Sequence, residues 1–234
     1  YEHSRLGGAK VVWIPDAAQL TDAAANALLK TLEEPPAQTW FFLASTEPAR
    51  LLATLRSRCR LHHLAPPPES YAISWLAREV TASSEALLSA LRLSAGSPGA
   101  ALTLLQAESW AHRTDFCAAL VNTLNAGDWY ILLAALNHDQ AAARLHWLAT
   151  LFTDALKRPY GIAHLTNPDA LDLISSIAER LSVAQIQAIL GDVCHCRQQL
   201  LNVTGVNREL VLTDLILRIE HYLQPGTVLP VPHL

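Results

Sequence analysis

The spacing of apolar residues changes once along the chain, and the change divides it. Lys10 to Ile14 (KVVWI) and Trp40 to Ser45 (WFFLAS) are short apolar runs rich in aromatic or β-branched residues, the pattern of buried strands. Between them Thr21 and Asp22 supply a helix start, Ala, Leu and Lys fill an interior, and Pro35 with Pro36 stops the helix after Glu34. This strand, helix, strand order predicts a parallel sheet covered by helices. Glu47 and Pro48 open a further short helix ending near Arg56, and Arg60 to Leu64 reads as a last short strand. Pro66, Pro67 and Pro68 then withhold donors from ladder and helix alike, which marks a linker.

From Glu69 onward the period is helical. Tyr71, Trp75 and Leu76 form one apolar stripe, and Leu87, Leu88 and Leu91 form another that ends at Gly96. Pro98 opens a third short helix, with Ala101, Leu102 and Leu105 on its inward face. Beyond about Glu108 the pattern predicts longer helices, including Ala143 to Lys157, Val183 to Val203 and Asn207 to Leu223. In the last, Leu210, Leu212, Leu215, Leu217 and Ile219 spread around much of the circumference, which fits burial in a core or at a subunit interface. The closing QPGTVLPVPHL holds three prolines and a glycine, so an extended tail is expected.

Composition narrows the class. With 234 residues, 51% hydrophobic and 16% charged, the chain has enough apolar surface for real cores and a length that suggests about two domains, or one large one. Every long apolar stretch is interrupted before the roughly 20 residues a bilayer needs, and no basic segment leads into an apolar run. No membrane partner and a cytoplasmic location are therefore expected. A net charge of -4 gives no global attraction for polyanions, so nucleic-acid contact requires a local patch or an assembly. The chain begins at Tyr1 and contains no Met, so an N-terminally truncated form is expected.

Metal chemistry has little support in the spacing. Cys59, Cys117, Cys194 and Cys196 lack paired C-x-x-C motifs and are expected to be free thiols. On a helix, the Cys194 and Cys196 sulfurs flanking His195 would point about 200° apart. His62, His63, His138 and His146 show no ligand spacing. Trp13, Trp40, Trp75, Trp110, Trp129 and Trp147 lack interleaved basic residues and read as core or interface fillers rather than a base-stacking platform.

The most specific block is NALLKTLEEPP, Asn26 to Pro36, followed by WFFLAS and then Ser57, Arg58, Cys59. On periodicity alone, Arg56, Arg58 and Arg60 would share one face of an extended segment and form a basic edge for any anion, DNA phosphate included. Glu33 and Glu34 point about 100° apart on a helix and read as solvated surface or local contacts, not as a catalytic pair.

The order and spacing of these blocks resemble the clamp-loader branch of AAA+ proteins over essentially the whole chain. The resemblance implies an α/β plus all-α architecture. Residues 1–65 would be the C-terminal part of an AAA+ parallel-sheet domain, 66–107 a three-helix lid, 108–223 a helical collar for oligomerisation, and 224–234 an extended tail. The family's P-loop region and zinc-binding module lie outside this sequence. In the family the Ser-Arg-Cys arginine points at the γ-phosphate of ATP bound next door, which implies that role for Arg58. A planar, permanently cationic guanidinium suits the charge that builds on phosphoryl oxygens.

Several positions depart from active relatives. No G-x-x-x-x-G-K-[ST] is present. The acidic pair after the first strand falls on Pro15 and Asp16: proline offers no carboxylate near Mg²⁺, and Asp16 is one methylene shorter than the expected glutamate. Gly99 stands where relatives present an arginine to their own nucleotide, although ordinary helix-start chemistry also explains GSPG. Ser45 and Thr46 match the family's polar sensor, or form a plain strand-end turn.

The expectation is a subunit that is not an enzyme on its own and binds no cofactor itself. It would assist ATP and Mg on a neighbouring subunit. Its implied partners are gamma or tau and delta clamp-loader subunits, the beta sliding clamp, and primed DNA within the assembly. Two rivals remain: an authentic ATPase whose nucleotide loop lies outside this sequence, and a helical or DNA-binding scaffold whose arginines meet phosphate without ATP.

Overall fold

In a computed structural model that describes residues 8–230, Lys10–Ile14 (β1) and Thr39–Leu43 (β2) pair in parallel, with Lys10 opposite Thr39 and Ile14 opposite Leu43. Asp22–Glu33 (α1) crosses between them. It starts where Thr21 Oγ1 accepts the Ala24 N–H at 3.2 Å, and it stops ahead of Pro35. Beyond Leu43 the chain leaves the strand, yet the Ala44 N–H still donates to the Ile14 carbonyl and the Ala17 N–H to the Ala44 carbonyl. A 3-10 turn over Pro48–Arg50 and the short helix Ala53–Arg56 (α2) follow.

Three sequence expectations change here. Arg60 to Leu64 forms no strand; Leu61 and Leu64 are exposed, and neither backbone edge meets a ladder among the described residues. Leucines flanking two histidines give only a faint period-2 signal, and without a neighbouring strand it has no hydrogen bonds to fix it. Arg56, Arg58 and Arg60 do not share a face, because the Arg58 and Cys59 N–H groups bond back to the Leu55 and Arg56 carbonyls. These bonds over three residues carry a 3-10-type turn past α2, which sets alternate residues about 240° apart. The two strands are buried on one side at most: Val11, Trp13, Trp40 and Phe42 line an exposed face, and Val12, Ile14, Phe41 and Leu43 are half-buried.

The chain divides between Ala65 and Pro66, and the second unit is helical. Glu69–Glu79 (α3), Ser84–Leu93 (α4) and Pro98–Leu105 (α5) pack around Ala72, Leu76, Leu87, Ala90, Leu91, Ala101 and Leu105. Tyr71, expected inward, is exposed, and the small Ala72 takes the buried position that lets helices approach. Gly96 ends α4 with φ +80°, and a Cβ there would stand 3.0 Å from the Pro66 Cβ, so the turn needs glycine on both counts.

Ala107–Ala126 (α6), Tyr130–Leu136 (α7), Ala141–Lys157 (α8), Leu171–Arg180 (α9), Val183–Asn202 (α10) and Arg208–Leu223 (α11) build the larger core. It centres on Phe116, Leu120, Leu148, Phe152, Ile174, Ile189 and Ile216. The last helix turns Leu212, Leu215, Ile216 and Ile219 inward and leaves Leu210 and Leu217 exposed. Trp129 and Trp147 are core residues, Trp75 and Trp110 pack partly buried against the α3–α5 core, and Trp13 and Trp40 are exposed. Among the described residues no single helix is long and apolar enough to cross a membrane.

A buried polar cluster sits inside this unit. The Arg113 guanidinium on α6 donates to both oxygens of Asp169 and, at 2.9 Å, to Asn167 Oδ1. Asp154, fully buried on α8, accepts the Thr166 and Asn167 backbone N–H groups at 3.0 and 2.8 Å, and Lys157 Nζ at 2.8 Å. Ser89 of α4 donates to Asp169 and so joins the smaller bundle to the larger. Fixed charges survive burial here because each has partners.

Candidate functional site

Parallel strands finish on the same side of a sheet, so β1 and β2 carry Pro15, Asp16, Ser45 and Thr46 to one edge. At this edge, open parallel sheets commonly hold ligands. Here the polar groups are committed locally. Asp16 caps the 3-10 turn Ala17–Gln19: Oδ1 accepts the Ala18 N–H at 3.1 Å, and Oδ2 accepts Gln19 Nε2 at 2.9 Å. Ser45 Oγ accepts the Glu47 N–H at 3.1 Å, a hydroxyl turn at the strand end. Pro15 and Thr46 are exposed. Gly99, in the first turn of α5, is exposed with open space where a side chain would stand.

Arg58 lies elsewhere in its unit. Glu33 is the last residue of α1, and the short connection Glu34 to Gln38 leads from it into the start of β2. Glu33, and Arg58 with it, therefore belong to the end of the sheet where strands begin, opposite the edge that carries Asp16 and Ser45. The Arg58 guanidinium is held by two anchors. Its Nε donates to Glu33 Oε1 at 2.7 Å, and Nη2 donates to the same oxygen. Nη1 donates to the Thr54 carbonyl at 3.0 Å, one of the carbonyls left open where α2 ends. Ser57 Oγ donates to that carbonyl at 3.0 Å and receives a longer contact from Nη1 at 3.4 Å.

A guanidinium has five N–H donors. These contacts leave one Nη2 N–H without a partner among the described residues. The Arg58 side chain is 32% exposed and that of Glu33 49%, so the ion pair contributes only about 0.2–1 kcal/mol. The arrangement holds an oriented, accessible cation at modest energetic cost. Cys59, half-buried, completes the tripeptide, and burial pushes its thiol above the usual range.

The pairing of Glu33 with Arg58 was not legible in the sequence, which read Glu33 as surface or a local contact. The residues lie 25 positions apart, and only opposite charge hinted at the partnership.

Groups outside this site are ordinary by geometry. Cys194 is exposed and Cys196 buried on α10, and burial pushes the Cys196 thiol up to about 11. His138 faces His112 with ring centroids 5.8 Å apart. Burial, then the nearby Arg197, pulls the half-buried His146 below the usual imidazole range.

Comparison with known proteins assigns each stretch. Residues 1–68 match the family described as DNA polymerase III, delta subunit. Residues 67–106 match the AAA+ ATPase lid domain of DNA polymerase III subunit delta', and residues 107–221 match DNA polymerase III, delta subunit, C terminal. DNA polymerase III subunit delta' of Escherichia coli K12 is 71% identical over 233 residues, covering 100% of this chain and 70% of that protein. The Yersinia pestis subunit delta' is 48% identical, covering 100% of this chain and 71% of its own length. A shorter match, 50% identical over 58 residues, is to DNA polymerase III subunit tau of Salmonella typhimurium, covering 25% of this chain and 9% of that protein. With the whole of this chain matched at this identity, over 70% of the Escherichia coli subunit's length, the chain belongs to the delta' subunit family of DNA polymerase III.

Proposed function

We propose that the chain works as a non-catalytic subunit of the bacterial DNA polymerase III clamp loader, helping to load the beta sliding clamp onto primed DNA. In this reading residues 1–65 are part of an AAA+ sheet domain, 66–107 the lid, 108–223 a collar that joins gamma or tau and delta subunits, and 224–234 a tail. Arg58 serves as an arginine finger in trans, toward ATP and Mg held by a neighbouring gamma or tau subunit.

The carrying observation is the position of Arg58. An anchored guanidinium with a donor to spare lies at the strand-start end of the sheet, away from the strand-finish edge. This position supports the reading that a phosphate reached by the arginine is held by another polypeptide. Supporting the non-catalytic reading, Pro15 has no carboxylate, both Asp16 oxygens are used in a local cap, and Gly99 has no side chain to offer. A trans arginine finger is worth roughly 10³–10⁵ in kcat where it has been removed in other phosphoryl-transfer systems.

The test places Arg58→Ala in the reconstituted clamp loader and measures assembly and DNA-stimulated ATP hydrolysis separately. The expected outcome is normal assembly with hydrolysis at the affected site lost. Arg58→Lys should also impair turnover, since an ammonium cannot reproduce the planar fork. Unchanged hydrolysis with weakened DNA binding would favour the basic scaffold instead.

A further inference from the structure

A long cationic side chain that acts across a subunit boundary must be in place before the phosphate arrives, or the freedom it loses on contact is subtracted from the stabilisation it gives. Arg58 meets this requirement through one residue outside its own turn. Thr54 and Ser57 hold only the Nη1 corner, and both lie within four positions of Arg58. Among the described residues the Nε–Nη2 edge is held by Glu33 Oε1 alone, from the C-terminus of α1. Two anchors on different edges fix the plane of the guanidinium; one corner contact alone would leave it free to swing.

We propose that Glu33 is a positioning residue for Arg58: its carboxylate grips the Nε–Nη2 edge and leaves the second Nη2 N–H as the donor for a phosphate oxygen held by a neighbouring subunit. The inference rests on the finger reading above. It adds a second residue to the machinery, from an acidic pair that the sequence alone reads as solvated surface or local contacts. Its neighbour Glu34 makes no comparable contact among the described residues: it is exposed, and its backbone N–H closes α1 onto the Lys30 carbonyl.

The carboxylate does not cancel the charge it orients. Both partners are exposed, so water screens their attraction, and a γ-phosphate carrying more charge keeps its pull on the arginine. A single acceptor oxygen also does the holding, so the role is one of geometry. A glutamine at position 33 would present an amide oxygen to the same two N–H groups.

The experiment uses the reconstituted clamp loader carrying the full-length subunit, with Glu33→Ala, Glu33→Gln, Glu34→Ala, Arg58→Ala and the Glu33→Ala/Arg58→Ala double variant. Glu33→Ala should lower DNA-stimulated kcat about tenfold, with the ATP KM and assembly unchanged, because a misaimed group costs rate rather than binding. Glu33→Gln should recover most of that loss, and Glu34→Ala should match wild type. The double variant should be no slower than Arg58→Ala alone, since Glu33 acts only through Arg58.

Faster turnover in either Glu33 variant would overturn the proposal and make the carboxylate a restraint on the finger. Equal losses in Glu33→Ala and Glu33→Gln, or additive losses in the double variant, would overturn it as well. A large loss in Arg58→Ala beside a wild-type rate in Glu33→Ala removes this inference and leaves the finger reading standing. No loss in Arg58→Ala removes both.

Discussion

Two arginines in this chain stand in contrasting surroundings. Arg58 keeps about a third of its side chain in water and an unspent donor. Arg113 is 2% exposed and turns its two terminal nitrogens to Asp169 and Asn167, with its buried Nε left without a partner among the described residues and its guanidinium carbon 4.7 Å from the Trp110 ring centre. The partners of Arg113 depend in turn on Asp154, whose two oxygens satisfy the Thr166 and Asn167 N–H groups in the interior. Asp154→Ala strips these donors and leaves Lys157 without its carboxylate, so it should cost about 3–5 kcal/mol in urea unfolding, the loss typical of a broken buried charge cluster. Glu33→Ala should cost about 1 kcal/mol or less in the same measurement, because its pair is exposed. Comparable losses in the two variants would contradict the contrast drawn between them.

At the scale of elements, helix ends carry much of the definition. Ser182 opens α10 with a complete capping box: Ser182 Oγ accepts the Gln185 N–H at 3.3 Å, and Gln185 Oε1 accepts the Ser182 N–H at 2.9 Å. The helix it starts packs against both α8 and α11, so fraying at this end reaches the centre of the larger core. Ser182→Ala should therefore destabilise the protein by about 1 kcal/mol, read as a lower urea midpoint with an unchanged slope. Thr21, Ser83, Ser97 and Asn207 play the same part for α1, α4, α5 and α11, each accepting an N–H from the first turn. The sheet has no comparable local device. Its register, Val11 beside Trp40 and Trp13 beside Phe42, is fixed by pairing alone.

For the whole molecule, the joint between the units is the exposed stretch from Arg60 to Pro66, where no backbone ladder among the described residues protects the chain. Backbone that is exposed and unladdered opens locally at little cost, which is what a protease needs. Brief trypsin treatment should cut first after Arg60, and mass spectrometry of the time course should show the helical portion from Leu61 onward persisting while the N-terminal piece is degraded. First cuts inside α3 to α11 would contradict this ranking of stability.

The sequence by itself determined the local elements and the family. β1 appears where an apolar, β-branched run stands between turns, α1 runs from its Thr21 cap to its proline stop, and α10 and α11 fall within a residue of their predicted limits. Caps, periods and prolines act over a few residues, so a linear reading detects them. Tertiary structure alone decided which apolar faces are covered, leaving Trp13 and Trp40 exposed while Trp129 and Trp147 are buried. It also withheld a partner from the expected strand at Arg60 to Leu64, and it joined Glu33 to Arg58 and Arg113 to Asp169 across 25 and 56 positions. Such contacts depend on where separate elements meet in space, and neither charge nor hydropathy along the chain encodes that meeting point.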